Sequence, residues 1–224
     1  MAVAAKQVIR RVVDILVDVG SVAWKIDELV RWLNDGQREI VIQRPDATAA
    51  IVAVPLIAGF RQSLPATAVK LLDVPCNTGG GPVRQTERRE LDEIESGWRQ
   101  LAGVTSIQHF MHDPRAPRLF EVYPPAAAEG ASVDALVSVY PTDIVVPNPG
   151  QTWDDVAGNI AVADIYQSAL VDYVLYRSYS KATEYAGNGA RAQAHYGAFA
   201  NSLGIDVSTS LTVAPKTNRP GEAG

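Results

Sequence analysis

The sequence predicts an α+β protein, with helices at both ends of the chain framing a β-rich middle, and three observations predict it. Apolar residues recur at helical spacing over residues 6–43 and again over 165–203. The stretch between is cut by prolines and glycines into short runs rich in β-branched residues. Past Gly204 the chain turns small, polar and proline-containing.

The first helix is expected over Lys6 to Val19, where Ile9, Val12, Val13, Leu16 and Val17 share a face and Gly20 supplies the stop. A second follows in Trp24 to Gln43 (WKIDELVRWLNDGQREIVIQ), with Ile26, Leu29, Val30, Leu33, Ile40 and Val41 on one side and Asp27 and Glu28 suited to its first turn. Arg44-Pro45-Asp46 closes it, because the residue before a proline is pushed out of the helical region. The two are expected to form an antiparallel pair.

From Thr48 the period changes. AAIVAVPLIAG, AVKLLDVPCN, PVRQTERREL, TSIQHFMHD, RLFEVYPP and SVDALVSVYP read as a β-rich insertion of about five or six strands. NTGGGP (Asn77 to Pro82) has three consecutive glycines but lacks the lysine and following helix of a phosphate loop, so it reads as a hairpin loop. After the loop Val146-Pro147-Asn148-Pro149-Gly150, helical spacing returns in Ile165 to Ala186, with Asp164 as its starting residue. Gly187-Asn188-Gly189 should break it. A further helix is expected over Ala190 to Leu203, where Ala192, Tyr196, Phe199 and Leu203 align and Gly204 is the stop. The expected organisation is a helical bundle domain from residues 1–47 and 164–204, a β-rich insertion domain at 48–163, and a flexible C-terminal tail at 205–224.

Composition narrows the function classes. In 224 residues, 47% hydrophobic and 20% charged, no apolar run approaches the roughly 20 residues that span a bilayer. The start, MAVAAKQVIRR, lacks the apolar core and cleavage site of a secretory signal, which points to synthesis in a cytoplasm and no membrane partner. Cys76 is the only cysteine, so it reads as a small buried apolar residue or an inert loop thiol, with no partner for an intramolecular disulfide. Residues 48–163 hold eight basic and thirteen acidic side chains, which accounts for the whole net charge of −5. With no lysine or arginine run longer than two, the chain does not suit sequence-specific gripping of DNA by its phosphates.

The stretch His109 to Pro125 (HFMHDPRAPRLFEVYPP) gathers two histidines and an aspartate, the residue types of a metal or catalytic corner. On a strand, His109 and His112 point to opposite faces, and His195 lies far along the chain, so three converging ligands are missing. The stretch reads instead as a hairpin end with Asp113-Pro114 opening the turn. Asp92 with Glu93 and Asp154 with Asp155 are paired carboxylates without a flanking nucleophile or a nucleophile-elbow motif. The chain is therefore read as a non-enzyme, with no catalytic, cofactor-binding or metal-ligating residue assigned and no cofactor. Tyr166, Tyr173, Tyr176, Tyr179, Tyr185 and Tyr196 crowd into the last helical region. Some suit packing against the first two helices, and others suit a subunit interface.

The order of these pieces resembles the head-to-tail adaptor (connector) proteins of tailed bacteriophages, as found in short-tailed phages. The resemblance is carried by WKIDELVRWLNDGQREIVIQRPDA (Trp24 to Ala47), GFRQSLPATAVKLLDVPCNTGG (Gly59 to Gly80), HDPRAPRLFEVYPP (His112 to Pro125) and DIYQSALVDYVLYRSYSKATEYAGNGARAQAHYGAFANSLG (Asp164 to Gly204), spread over most of the chain. It implies that Asp113, Pro114, Pro117, Phe120, Tyr123, Pro124 and Pro125 form a turn and a strand without a metal. It further implies a structural virion protein at the head-tail junction, assembled in the host cytoplasm. About twelve copies would form a ring around the DNA channel. That ring would dock on the portal protein through the tail from Ile205 and meet a downstream tail (nozzle) protein, while DNA passes the lumen without sequence-specific binding.

Two other readings stay open at this level. A virion-associated cell-wall hydrolase would need Glu90 and Asp92 or Glu93 in a cleft. A carbohydrate- or peptide-binding β-sandwich would need a concave aromatic patch among Trp98, Phe110, Phe120 and Tyr123.

Overall fold

The computed structural model describes residues 3–205. In chain order its elements are α1 (Ala5–Leu16), α2 (Ile26–Gln43), β1 (Ala49–Pro55), β2 (Gly59–Ser63), β3 (Ala68–Asn77), β4 (Arg84–Gln85), α3 (Arg88–Ile94), β5 (His109–His112), β6 (Leu119–Ala126), β7 (Ser132–Val139), α4 (Gln167–Lys181) and α5 (Asn188–Ser202). The protein is thus α+β, with five α-helices and seven strands among the described residues. The expected tail at 205–224 lies outside them save for Ile205, whose N–H still bonds the carbonyl of Ala200 at the end of α5 (2.9 Å).

The chain divides into two compact units. The helical unit takes the described residues of 1–36, 144–159 and 164–224, and the sheet unit takes 37–143 and 160–163. Within the helical unit α1 rests on α4, and α4 on α5, so the expected direct pairing of the first two helices is not its main packing. Val8, Ile9 and Val12 of α1, Leu29 and Leu33 of α2, Leu170, Val174 and Leu175 of α4 and Phe199 of α5 are fully or almost fully buried. α2 passes close to α4 at Gly36, where a Cβ would stand 2.9 Å from Cδ1 of Tyr173 and 3.2 Å from Leu170. Glycine here permits an approach that a side chain would push apart.

The sheet unit holds two sheets, ordered β1-β7-β3 and β2-β6-β5-β4. The first is antiparallel throughout. In the second, the two-residue β4 runs parallel to β5. A single apolar cluster draws on both sheets, among it Val54, Leu71, Phe110, Phe120, Val122, Val133, Ala135 and Val137. A smaller one gathers Leu91, Trp98 and Met111, with Phe60 and Tyr123 against it. Alternation explains the division, since neighbouring Phe110 and Met111 of β5 must face opposite sides of their sheet.

Several boundaries depart from expectation for identifiable reasons. The first helix ends at Leu16, not near Gly20, because Val17 turns into the left-handed region (φ 55°) and the N–H groups of Val17 and Asp18 close back on Asp14 and Val13. PVRQTERREL is not one strand: beyond an isolated bridge at Pro82 only Arg84–Gln85 pairs, and Arg88–Ile94 is helical, favoured by the i,i+4 pair Arg89–Glu93 (3.1 Å) and by Leu91 as its buried contact. The helix expected from Ile165 starts at Gln167, after a 3₁₀ turn, with Tyr166 rather than Asp164 at the cap position, and it ends at Lys181. NTGGGP does fold back, with the Asn77 N–H on the Gly81 carbonyl (2.8 Å) and an antiparallel bridge from Cys76 to Pro82, but the chain then leaves for the other sheet. The break at Gly187 (φ 88°) and the stop at Gly204 (φ 72°) stand where the sequence places them.

Candidate functional site

The two histidines sit at the ends of β5, and the turn that follows is the expected hairpin into β6. His109 shares the side of Met111, its ring 6.0 Å from that of Tyr123, whereas His112 shares the side of Phe110. Burial lowers the His112 pKa, assisted by Lys70 and opposed by a hydrogen bond to the Pro117 carbonyl and by Asp113. Asp113 is turned to the turn itself: it accepts from the Arg115 backbone N–H (3.0 Å) and from its guanidinium (2.7 Å), which holds its pKa at about 2. The three residues are adjacent in sequence and divergent in space. Among the described residues no group of three or more His, Cys, Asp or Glu is placed to hold a metal ion.

The carboxylates proposed for hydrolysis are likewise engaged elsewhere. Asp92 accepts from the Arg99 guanidinium (2.6 Å) and the Trp98 indole N–H (2.8 Å), and these bonds depress its pKa, the direction opposite to what a general acid requires. Glu90 accepts from the Thr86 hydroxyl (3.1 Å), and Glu93 pairs with Arg89 along α3. Asp154 meets Lys6 (3.1 Å), while Asp155 closes a capping box with Thr152. The aromatic patch imagined for a ligand binder is dispersed. Trp98, Phe110 and Phe120 are at most 2% exposed and fill cores, and the Tyr123 hydroxyl donates to Glu95 (2.7 Å).

The late tyrosines serve chiefly to join α4 to α5. Tyr173 lies 5.1 Å from Phe199, Tyr176 lies 5.1 Å from Tyr196, and Tyr179 stacks on His195 at 5.7 Å with an interplanar angle of 11°. His195 is fixed by Asp172, its Nδ1 2.9 Å from the carboxylate. Sequence reasoning missed this helix-to-helix role, although a Tyr/Phe/His pattern on two helices joined by a glycine break is the signal for it. Tyr185 and Tyr196 remain exposed.

A connection that periodicity assigned to a helix is the more unusual surface. Between α1 and α2, the Asp18 carboxylate accepts three backbone N–H bonds, from Val22, Ala23 and Trp24, each 2.9 Å. Partial burial opposes ionisation, and the three bonds with Lys25 nearby outweigh it, so the Asp18 pKa is lowered. Trp24 is anchored by its indole N–H on the Ser178 carbonyl (3.1 Å). Val17 and Ser21 (φ 49°) are the non-glycine residues with positive φ among those described, and both are in this loop. The loop so held presents Val17, Val19 and Val22 at 83%, 67% and 75% exposure. It borders a groove of about 580 Å³ whose other wall is Val146–Thr152. Three valines displayed on a fixed loop make an exposed apolar patch beside that groove.

Among the described residues no helix is long and apolar enough to cross a membrane. No curated protein matches the chain. A family comparison matches residues 3–220 to the SU10 adaptor protein, so nearly the whole sequence is covered, and the chain belongs to that family of phage head-to-tail adaptors.

Proposed function

We propose that the chain is a structural adaptor of the virion that docks on the portal and connects it to the tail as a ring of about twelve copies. The observation that carries this reading is the family match across residues 3–220. The valine loop supports it, since an apolar display on a rigid frame suits subunit contacts, and so does the engagement of every carboxylate singled out for chemistry. In this reading the helical segments 1–47 and 164–204 build the ring wall, and the β-rich 48–163 faces the downstream tail protein. The segment 205–224 reaches the portal and orders on contact, which makes docking sequential. DNA passes through the lumen without being gripped, in keeping with the net charge of −5.

The test is native mass, by light scattering or mass photometry, of the purified chain alone and after mixing with the portal ring of its own phage. A jump to the mass of portal plus about twelve copies is expected. Absence of association at any ratio overturns the reading. Removing residues 206–224 is expected to leave thermal unfolding of the remainder unchanged and to abolish portal docking.

A further inference from the structure

Sheets are vulnerable at their edges, where unpaired N–H and C=O groups invite another strand, and natural proteins blunt those edges with charge, proline, bulges or brevity. Three of the four edge strands here are blunted. β3 carries Lys70, Asp73 and Pro75 and three register shifts, β2 carries Arg61 and a bulge, and β4 is two residues long. β1 is blunted only at its last residue, Pro55. The six residues before it, Ala-Ala-Ile-Val-Ala-Val, hold no charge, and the whole strand pairs with β7 in unbroken register.

The direction of its free groups follows from the ladder. Leu56, one residue past β1, donates to the Ala131 carbonyl (2.9 Å) in the same register, so Ala50, Val52 and Val54 turn their backbone groups to β7. The groups of Ile51 and Ala53 therefore point to the open side, and Ile51 is 67% exposed.

We infer that this open edge receives Val207–Val213 of a second copy as an added strand. That segment reads Val-Ser-Thr-Ser-Leu-Thr-Val, alternating larger with small hydroxylic residues at the period of a strand. Between Asp206 and Lys216 it has no charge, so it seals an uncharged edge without burying an ion, and its seven residues match the seven of β1. It begins two residues beyond Ile205, which is tied to the end of α5. The inference rests on the ring reading, because one copy giving a strand and the next receiving it is a head-to-tail contact that a ring can repeat, whereas pairing β1 with another β1 would end in a dimer. The part of the tail proposed to reach the portal thereby narrows from 205–224 to Pro215–Gly224.

The experiment mixes two differently tagged full-length chains, both Cys76→Ser, one with Ile51→Cys and the other with Leu211→Cys, in the presence of the portal, and adds a short bismaleimide. A linked pair of unlike tags is expected, lost when the receiving copy also carries Ala53→Pro. That proline removes an N–H that the chain's own ladder does not use, so its thermal midpoint should be retained. Ile51→Lys with Ala53→Cys as the receiving site tests the same edge if the proline variant unfolds. A link found only within single chains carrying both cysteines overturns the second-copy occupant. No link where native mass shows a ring overturns the inference and leaves the ring standing, while no link and no ring overturns both.

Discussion

Two connections in this protein are each organised by one aspartate, and they do opposite things. In the loop between α1 and α2, Asp18 uses both carboxylate oxygens on backbone N–H groups four to six residues ahead, at Val22, Ala23 and Trp24. In the turn between β5 and β6, Asp113 closes on its near neighbour Arg115. The first therefore fixes a backbone that displays Val17, Val19 and Val22, and it holds Val17 in a conformation valine avoids. The second caps a hairpin with a charge pair whose arginine is 90% exposed. The lesson is that the residue type does not tell a display from a closure. What the carboxylate holds does.

The largest expected effect sharpens that contrast. Asp18→Ala orphans three N–H groups at once and should cost roughly 2 kcal/mol, read as a lower denaturation midpoint at unchanged slope. Asp113→Ala should cost less, since its charge pair is screened by solvent and only one backbone N–H, that of Arg115, loses its partner. Equal losses for the two would dissolve the distinction. Next comes the display itself. Replacing Val19 and Val22 together by serine should leave the fold intact and weaken association with further copies or the portal about tenfold, equivalent to roughly 1.4 kcal/mol. Arg115→Ala should not change that association, and mass photometry over a dilution series separates the two.

Much of the frame was legible in the sequence, because burial stripes and strand alternation are local. α2, α5, β1, β3, β6 and β7 lie where periodicity and punctuation place them. What failed was decided at a distance. Nothing local marks Val17 as a helix stop, because a β-branched residue seldom takes the left-handed turn that it makes here, just before an Asp18 carboxylate that engages residues four to six positions ahead. The helix in ERREL was hidden by the proline-valine start of its stretch, though Arg89 and Glu93 at i,i+4 were its signature. Buried Asn34 exchanges hydrogen bonds with the backbone of Ile144 (2.8 and 2.9 Å), and buried Asn77 bonds the carbonyl and N–H of Ile107 (both 2.8 Å). Such pairings across 110 and 30 residues leave no pattern in either partner. The candidate site fared likewise. Val17 read as part of a helix face, Val19 as the end of that helix and Val22 as part of the link beyond Gly20, and only the loop's hydrogen bonds reveal the three as one exposed surface.

Smaller effects probe the backbone and the charge. Val17→Gly removes the left-handed penalty of a β-branched residue and should raise stability by roughly 1 kcal/mol, seen as a higher thermal midpoint, without touching the display by Val19 and Val22.

The smallest effect is titration. Both aspartates have depressed folded pKa values, so whatever each contributes is present above the unfolded carboxylate range near ~3.9 and is lost as pH falls through the folded value. For Asp113 that folded value is about 2, set first by the Arg115 guanidinium, and Arg115→Ala should return it toward the ordinary range. For Asp18 the lowering comes from backbone N–H groups, so no single side-chain substitution should release it. Carboxylate NMR shifts followed from pH 6 downward through the ordinary range, at about 4 and below, distinguish the two. If Arg115→Ala leaves Asp113 near its depressed value, the turn is held by its backbone after all, and the two connections are alike in kind.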